Sequence, residues 1–580
     1  MAGLSIPQKD SSSTRKSEIE TLAATYKYVE VKGVPLIETE GPLDKNKPDW
    51  YVSLLVVVLK IRNHMDDVVK RNNLKFEKEL APRKPKTWVE ILKQERDPTE
   101  YFAPDLGAML PDGRPKDISD YTTKIFGKIK VPSIAARFDT DEQFAYTFLA
   151  GPNPNQIKRM TKPIAEFPIS NTQLQSLPEF ASDDLGRAMA EGRIYYVDHS
   201  GMKILKNGVH PQGPKYQYAP FAAFAVPRQE SARTRLFPFA IQCGPTPEGR
   251  MIYQPSHGYS WKMARNCVLS AHNNHHEVVT HLGLTHLLVD AVVAATRRKL
   301  HVNHPVHALL DPHFEGTAAI NIGARTTLIQ PGASVDRLVG SDILSNYDLL
   351  GQERLAYSYR DNYLPNRLKR LQVDDAKLIK SYPYRDDAIL IWNATHNWVS
   401  DYVEVFYKSD ADIRADAELQ AWAKEATVGG RIKDFGVAPG TVRDRNDLID
   451  ILTMTIFTAG PQHAAVNFTQ GSDMSFVPAN PLAGYVPEPQ GTGHTAADWL
   501  AQFPPLDVAL HTLTELTLLA GIKHGIFGAY GTSVIAAAGA KLLGFQAKLL
   551  EIENTINNRN RSRVEYIHLK PSRIPPSINI

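Results

Sequence analysis

Cysteine is nearly absent from this chain: Cys243 and Cys267 are the only two in 580 residues. Two thiols cannot build a disulfide framework, and their spacing is not that of a zinc knuckle, so the pattern fits a reducing compartment. Charge of one sign is missing as well. With 66 basic and 63 acidic side chains the net charge is +3, which leaves no basic excess for a nucleic-acid surface, and no such partner is expected. Long apolar runs are lacking too. The strongest, Val52 to Leu59 (VSLLVVVL), falls far short of the roughly 20 residues that span a bilayer and is expected in the core. The N-terminal MAGLSIPQKDSSSTRK carries charge and hydroxyl groups where a secretory signal needs an apolar stretch. Residues 1–25 therefore read as a flexible tail, and the protein as cytoplasmic.

What is present is a chain that is 43% hydrophobic, enough to bury a large core. Apolar residues recur with helical period at about 50–75, 141–150, 262–300, 388–426, 444–468 and 506–555, with strand-like pieces such as KILKNG and MIYQP between them. Pro and Gly punctuate residues 81–118, 428–440 and 478–492, but no stretch is long enough for an interdomain linker, and no internal repeat is visible. The fold class expected is mainly α, with residues 26–580 forming one large domain.

The densest chemical signal is a run of histidines, His276, His281, His286, His304 and His313, separated by four, four, seventeen and eight residues. His276-Glu277 followed by His281 invites comparison with HExxH zinc proteases, whose histidines stand four apart on one helical face. Here they stand five apart. Five residues of α-helix advance about 500°, leaving two rings roughly 140° apart, so they cannot share a metal. A π-type turn with i→i+5 hydrogen bonds would bring them into line, and the repeated fives predict one here. His463 and Asn467 (QHAAVNF) are four apart and share a face of an ordinary helix. Imidazoles with oxygen donors suit iron, manganese or zinc; a soft thiolate site is excluded because the cysteines lie outside the pattern. A lone histidine on an apolar helix is most often a hydrogen-bonded core residue, so at most three of the five are expected to touch metal and the others to be structural.

These residues resemble the lipoxygenase family. The gaps from His276 to His313 match its histidine signature, HPVHALLDPHF (304–314) its second half, QHAAVNF (462–468) its later ligand helix, and RIPPSINI its terminal segment with a final isoleucine. DEQFAYTFLAGPNP (141–154) and YPYRDDAILIWNATHNWVSDYVEVFY (382–407) are similar to further family helices, and Trp392, Trp398, Tyr402 and Phe406 on the latter read as core aromatics. Two positions depart from the pattern. His272 stands where the family often has an acid, and Arg265, after Trp261, where it has lysine.

The resemblance implies a catalytic domain with a long central π-bulged helix carrying metal ligands, and no N-terminal PLAT β-barrel. It implies as ligands His281, His286, His463, Asn467 and the carboxylate of Ile580. Gln470, His276, His304 and His313 would support them, and Ala324, Leu328, Val335 and Leu519 would line the substrate channel. The cofactor implied is one non-haem iron, with manganese second, and no catalytic side chain is needed beyond the metal-bound hydroxide. The partners implied are O2 and a polyunsaturated fatty acid with a cis,cis-1,4-pentadiene, oxygenated to a hydroperoxide. Ala324 leans the product toward S stereochemistry, and peripheral contact with a membrane suits a lipid substrate. A hydroperoxide isomerase could carry the same ligands; a zinc hydrolase and a metal-free lipid-binding protein are the readings from other classes.

Overall fold

The computed structural model describes residues 3–10, 12–39, 47–72, 113–210, 213–228 and 236–580. The Pro-rich stretch expected over 81–118 lies outside them except for its last six residues. Helix predominates, as the apolar periodicity predicts.

The expected flexible tail is overturned where it is described. Arg15–Thr25 forms helix α1, and Ile6 is buried in the main core. The Ser5 N–H donates to Asn303 O at 3.0 Å. Arg15 places its guanidinium between Asp10, at 2.6 Å, and Glu418, at 2.5 Å. The polar composition signalled disorder, but the acid that fixes Arg15 lies some four hundred residues away, where local reading cannot see it. A hairpin follows, β1 (Tyr26–Val31) and β2 (Val34–Thr39). Its two-residue turn puts Lys32 and Gly33 at φ 51° and 81°, the doubly positive φ of a type I′ turn.

Helix α2 (Pro48–Arg71) starts with proline in its first turn, where the missing N–H costs nothing. Its apolar run is only half core. Val57, Val58 and Ile61 are buried, whereas Val52 and Val56 are 60% and 62% exposed. Eight consecutive apolar residues circle the helix more than twice, so one face packs and the other cannot.

A four-stranded antiparallel sheet of β3 (Lys158–Arg159), β4 (Ile194–Asp198), β5 (Phe221–Ala225) and β6 (Phe237–Gln242) runs in sequence order. The strand-like pieces expected from sequence lie beside it rather than in it. Ser200–Ile204 is a 3₁₀ turn, and Tyr253 makes only an isolated bridge to Ile241.

The centre of the molecule is α3, Tyr259–Lys299, a 41-residue helix whose apolar stretch is 89% buried. Residues His276–His286 within it are π-wound, and the Thr285 hydroxyl donates across the i→i+5 gap to Thr280 O at 2.8 Å. Four more helices complete the frame used below: α4 (Pro383–Phe406), α5 (Arg445–Phe457), α6 (His463–Thr469) and α7 (Leu506–Leu519). The last long helix, α8 (Thr532–Arg559), kinks at Ala538 and packs on α4. Trp392, Trp398 and Tyr402 of α4 are core aromatics as expected, with Trp398 stacked on Phe545 of α8 at 5.9 Å.

Candidate metal centre

The π-winding does what the five-residue spacing requires. His281 and His286, which an α-helix would splay apart, meet with Nε2 atoms 3.1 Å apart. A second π segment, Thr458–Gln462 with Pro461 inside it, leads into α6 and delivers His463 opposite them. One ligand nitrogen from each of His281, His286 and His463 lies within 4.8 Å of the other two. All three are buried.

Burial holds these imidazoles neutral, which leaves lone pairs for a metal. It drags His286 down to about 3, with His281 acting the same way and the Asn321 hydrogen bond opposing. Burial also lowers His281 and, with the two neighbouring rings, takes His463 well below the usual range, while the Ile580 main chain opposes. Burial alone would raise Glu277, but its contacts with His276 and His281 bring it down to about 2, so it remains a carboxylate. It stands 3.8 Å from His281 Nδ1.

The residues present fit a metal. Neither ring nitrogen of His463 makes a hydrogen bond although both are buried, an arrangement that is costly unless an ion takes one of them. The 3.1 Å between the His281 and His286 Nε2 atoms is short enough for both to reach one ion about 2.1 Å from each. His286 Nδ1 bonds to Asn321 Oδ1 at 2.9 Å, Asn321 Nδ2 donates to Asp290 at 3.0 Å, and Asp290 in turn accepts from Ile37 N at 2.7 Å. That chain sets the His286 tautomer so that Nε2 faces the cluster.

Asn467 is fully buried four residues after His463. Its Nδ2 donates to Leu519 O at 2.9 Å, and its Oδ1 accepts from Gln470 Nε2 at 2.8 Å. Both bonds hold the amide in one orientation. Ile580 is 8% exposed and adjoins His463. The segment leading to it is tied down by Trp50 Nε1 to Asn579 O at 2.6 Å and by His313 Nδ1 to Pro576 O at 2.8 Å.

The remaining histidines of the run do different work. His276 Nε2 bonds to Val466 O at 2.9 Å and so joins α3 to α6. His304 caps the helix at Pro305–Leu310 and pairs with Asp416 at 3.1 Å. Through these two contacts it braces the helix at Pro305–Leu310 against the start of the one at Ala417–Val428. His313 acts on the C-terminal segment, with Tyr530 on its other nitrogen. Ala324, Leu328, Val335 and Leu519 are each half-buried. Of these, Leu519 is tied to the cluster through its carbonyl oxygen, which accepts from Asn467 Nδ2.

Sequence reading missed Asn321, Asp290 and Glu277. Glu277 was visible only as part of a mismatched HExxH; Asn321 lies 35 residues beyond the ring it orients and had no local signal. Asn321→Ala should weaken metal retention by roughly 10- to 100-fold, the usual cost of losing a ligand's outer hydrogen bond. Metal titration of the chelated protein measures it, and an unchanged affinity would mean that His286 needs no orienting partner.

A mainly helical frame whose π-wound central helix converges with a second helix on three buried neutral imidazoles defines the class as a non-haem metal enzyme. The chain belongs to the lipoxygenase family: the family model described as Lipoxygenase matches residues 116–518, and the protein is thereby an enzyme of the fatty acid dioxygenase kind, a family that uses a catalytic metal. It is 39% identical over 479 residues to the linoleate 9/13-lipoxygenase of Pseudomonas aeruginosa, covering 79% of this chain and 69% of that protein. It is 29% identical to the human hydroperoxide isomerase ALOXE3, covering 76% of this chain and 62% of that protein. A LOX variant solved anaerobically in complex with arachidonate superimposes with a TM-score of 0.85 at 25% identity, over 100% of this chain and 84% of that one. A manganese lipoxygenase shares the fold, with a TM-score of 0.77 at 19% identity, over all of both chains.

Proposed function

We propose that this protein is an iron dioxygenase that inserts O2 into polyunsaturated fatty acids of the linoleate or arachidonate type. The ligands are His281, His286, His463, Asn467 and the carboxylate of Ile580. The observation that carries the reading is the convergence of three neutral imidazoles, one of them with both nitrogens unpartnered. Ala324, together with isoleucine at position 580, favours iron over manganese.

Bound there, iron supplies the one-electron step that removes a hydrogen atom from the bis-allylic carbon. The chain supplies the rest. Burial keeps the imidazoles unprotonated, the Asn321–Asp290 relay and Gln470 hold His286 and Asn467 in place, and the surrounding apolar side chains exclude water. Ala324, Leu328, Val335 and Leu519 line the path of the acyl chain, and the Ala324 methyl shields one approach of O2, favouring S products.

The test is O2 consumption with linoleate and arachidonate, with chiral analysis of the products and metal quantification. Conjugated-diene S hydroperoxides and one iron per chain are expected. Turnover of added hydroperoxide without diene formation would replace this reading with the isomerase, the activity named for the human relative. Stoichiometric zinc without O2 uptake would overturn both.

A further inference from the structure

Beside the metal cluster lies a partly open cavity of about 390 Å³, at the low end of ligand pockets. Thr280, Thr285 and Gln462 line it, and each immediately precedes one of the converging imidazoles, His281, His286 and His463. Neighbouring positions of a helix point about 100° apart, so turning three rings onto the cluster turns the residues before them onto a second common space. Only four residues around that space, Leu284, Leu364, Met454 and Phe457, are apolar. The ligand it suits is polar and small rather than an acyl chain.

The charge around it has one sign. Arg367 lines the cavity; its Nη2 donates to Asn155 O at 3.0 Å, and its Nε is buried with no partner. Arg370 donates to Asn362 Oδ1 at 2.8 Å, and the fully buried Arg354 to Gly430 O at 3.2 Å. All three guanidinium groups thus rest on neutral acceptors, and none pairs with a carboxylate among the described residues. Burial and then the Arg367 charge pull Arg370 below its ordinary range, and Asp361 offsets part of this without pairing to it. Burial raises Tyr357, a further wall residue, while Arg367, Arg370 and Arg354 all oppose it. Cations gathered at a cavity wall without a counter-charge are costly unless an anion joins them.

We propose that this cavity binds a small carboxylate, held by the edge of the Arg367 guanidinium. The unpartnered Nε–H stands beside Nη2, and a planar acceptor with two oxygens matches that edge. Water would satisfy the hydrogen bonds of the walls and leave the charge unbalanced; a monoanion does both. Phosphate and sulfate suit the site less. Asn155 Oδ1 is also buried without a donor and would face their additional anionic oxygens. Asn155 Nδ2 and the Tyr384 hydroxyl are already spent on Gln462 Oε1, so recognition falls to Arg367. Binding here requires no metal and holds whichever ion occupies the cluster.

Saturation-transfer NMR on the methyl signal of acetate, titrated into the full chain in Tris buffer, tests it. The wild type should bind acetate with a Kd on the order of 1 mM, well short of the ceiling for a four-atom ligand. An equal concentration of sodium phosphate should leave the signal in place. Arg367→Gln should weaken acetate binding at least about tenfold, because both the charge and the fork are gone. Arg367→Lys keeps the charge and loses only the fork, so it should weaken binding at least about threefold with the melting temperature of the wild type. That variant keeps the test decisive if the glutamine variant folds poorly. No saturation transfer at about 20 mM acetate, far above the expected Kd, overturns the proposal. Binding unchanged in both Arg367 variants overturns it too, since the acetate then sits elsewhere. Displacement of acetate by equimolar phosphate would overturn the choice of a carboxylate.

Discussion

Replacing His281 with alanine should leave the purified enzyme with less than about a tenth of an equivalent of metal and lower linoleate turnover by at least about 10³-fold. The same change at His304 should leave metal content near that of the wild type and lower the melting temperature instead. The structure separates the two residues. His281 Nε2 faces His286 across 3.1 Å inside the cluster, and its loss removes one of three converging nitrogens. His304 is consumed by Asp416 and the backbone N–H of Val306. Its loss leaves the buried Asp416 carboxylate one hydrogen bond short, with Tyr407 Oη and Leu419 N still donating to it, a defect of stability of about 1–3 kcal/mol. Elemental analysis and calorimetry on the two variants, each beside the wild type, decide the matter. Equal metal loss in both would mean that ligand and brace have been confused, and undisturbed metal in His281→Ala would remove the cluster from the reaction.

The second large effect concerns the other end of the site. Adding residues after Ile580 should cut metal retention at least about tenfold and abolish turnover, with far-UV circular dichroism unchanged. Ile578 is fully buried and Ile580 nearly so. The segment is held by Trp50, His313 and a bond from Ser577 Oγ to Glu315 O at 2.8 Å. An extension would both convert the carboxylate into an amide and have to find a way out of this packing. The fold should survive because the helices around α3 do not depend on the last two residues. A C-terminally extended protein with full metal and full activity would remove Ile580 from the ligand set and leave four protein ligands.

Much of this site was legible in order along the chain. The π-winding of α3 could be read from histidines five apart, because the geometry of a helix allows such residues to meet in no other way. His463 and Asn467 on one face followed from their spacing of four. Segments such as Asp141–Ala150 were equally plain, since an apolar period with an N-cap threonine is a local code. The departures fall where a partner is remote. The polar N-terminus gave no sign of the acid, Glu418, that fixes Arg15, and the run at Val52–Leu59 could not tell its buried face from its bare one.

By itself the amino-acid sequence determined the period of each long helix, the π-turn and the donor types available, because these depend on residues within about five positions of one another. Only the tertiary structure decided which histidines share a point in space, that Asn321 and Asp290 orient one of them, and that the residue before each of the three lines one polar cavity. Burial and ligand convergence are properties of segments up to some three hundred residues apart. The chain closes those loops collectively, through hydrophobic packing, and no local pattern records the result.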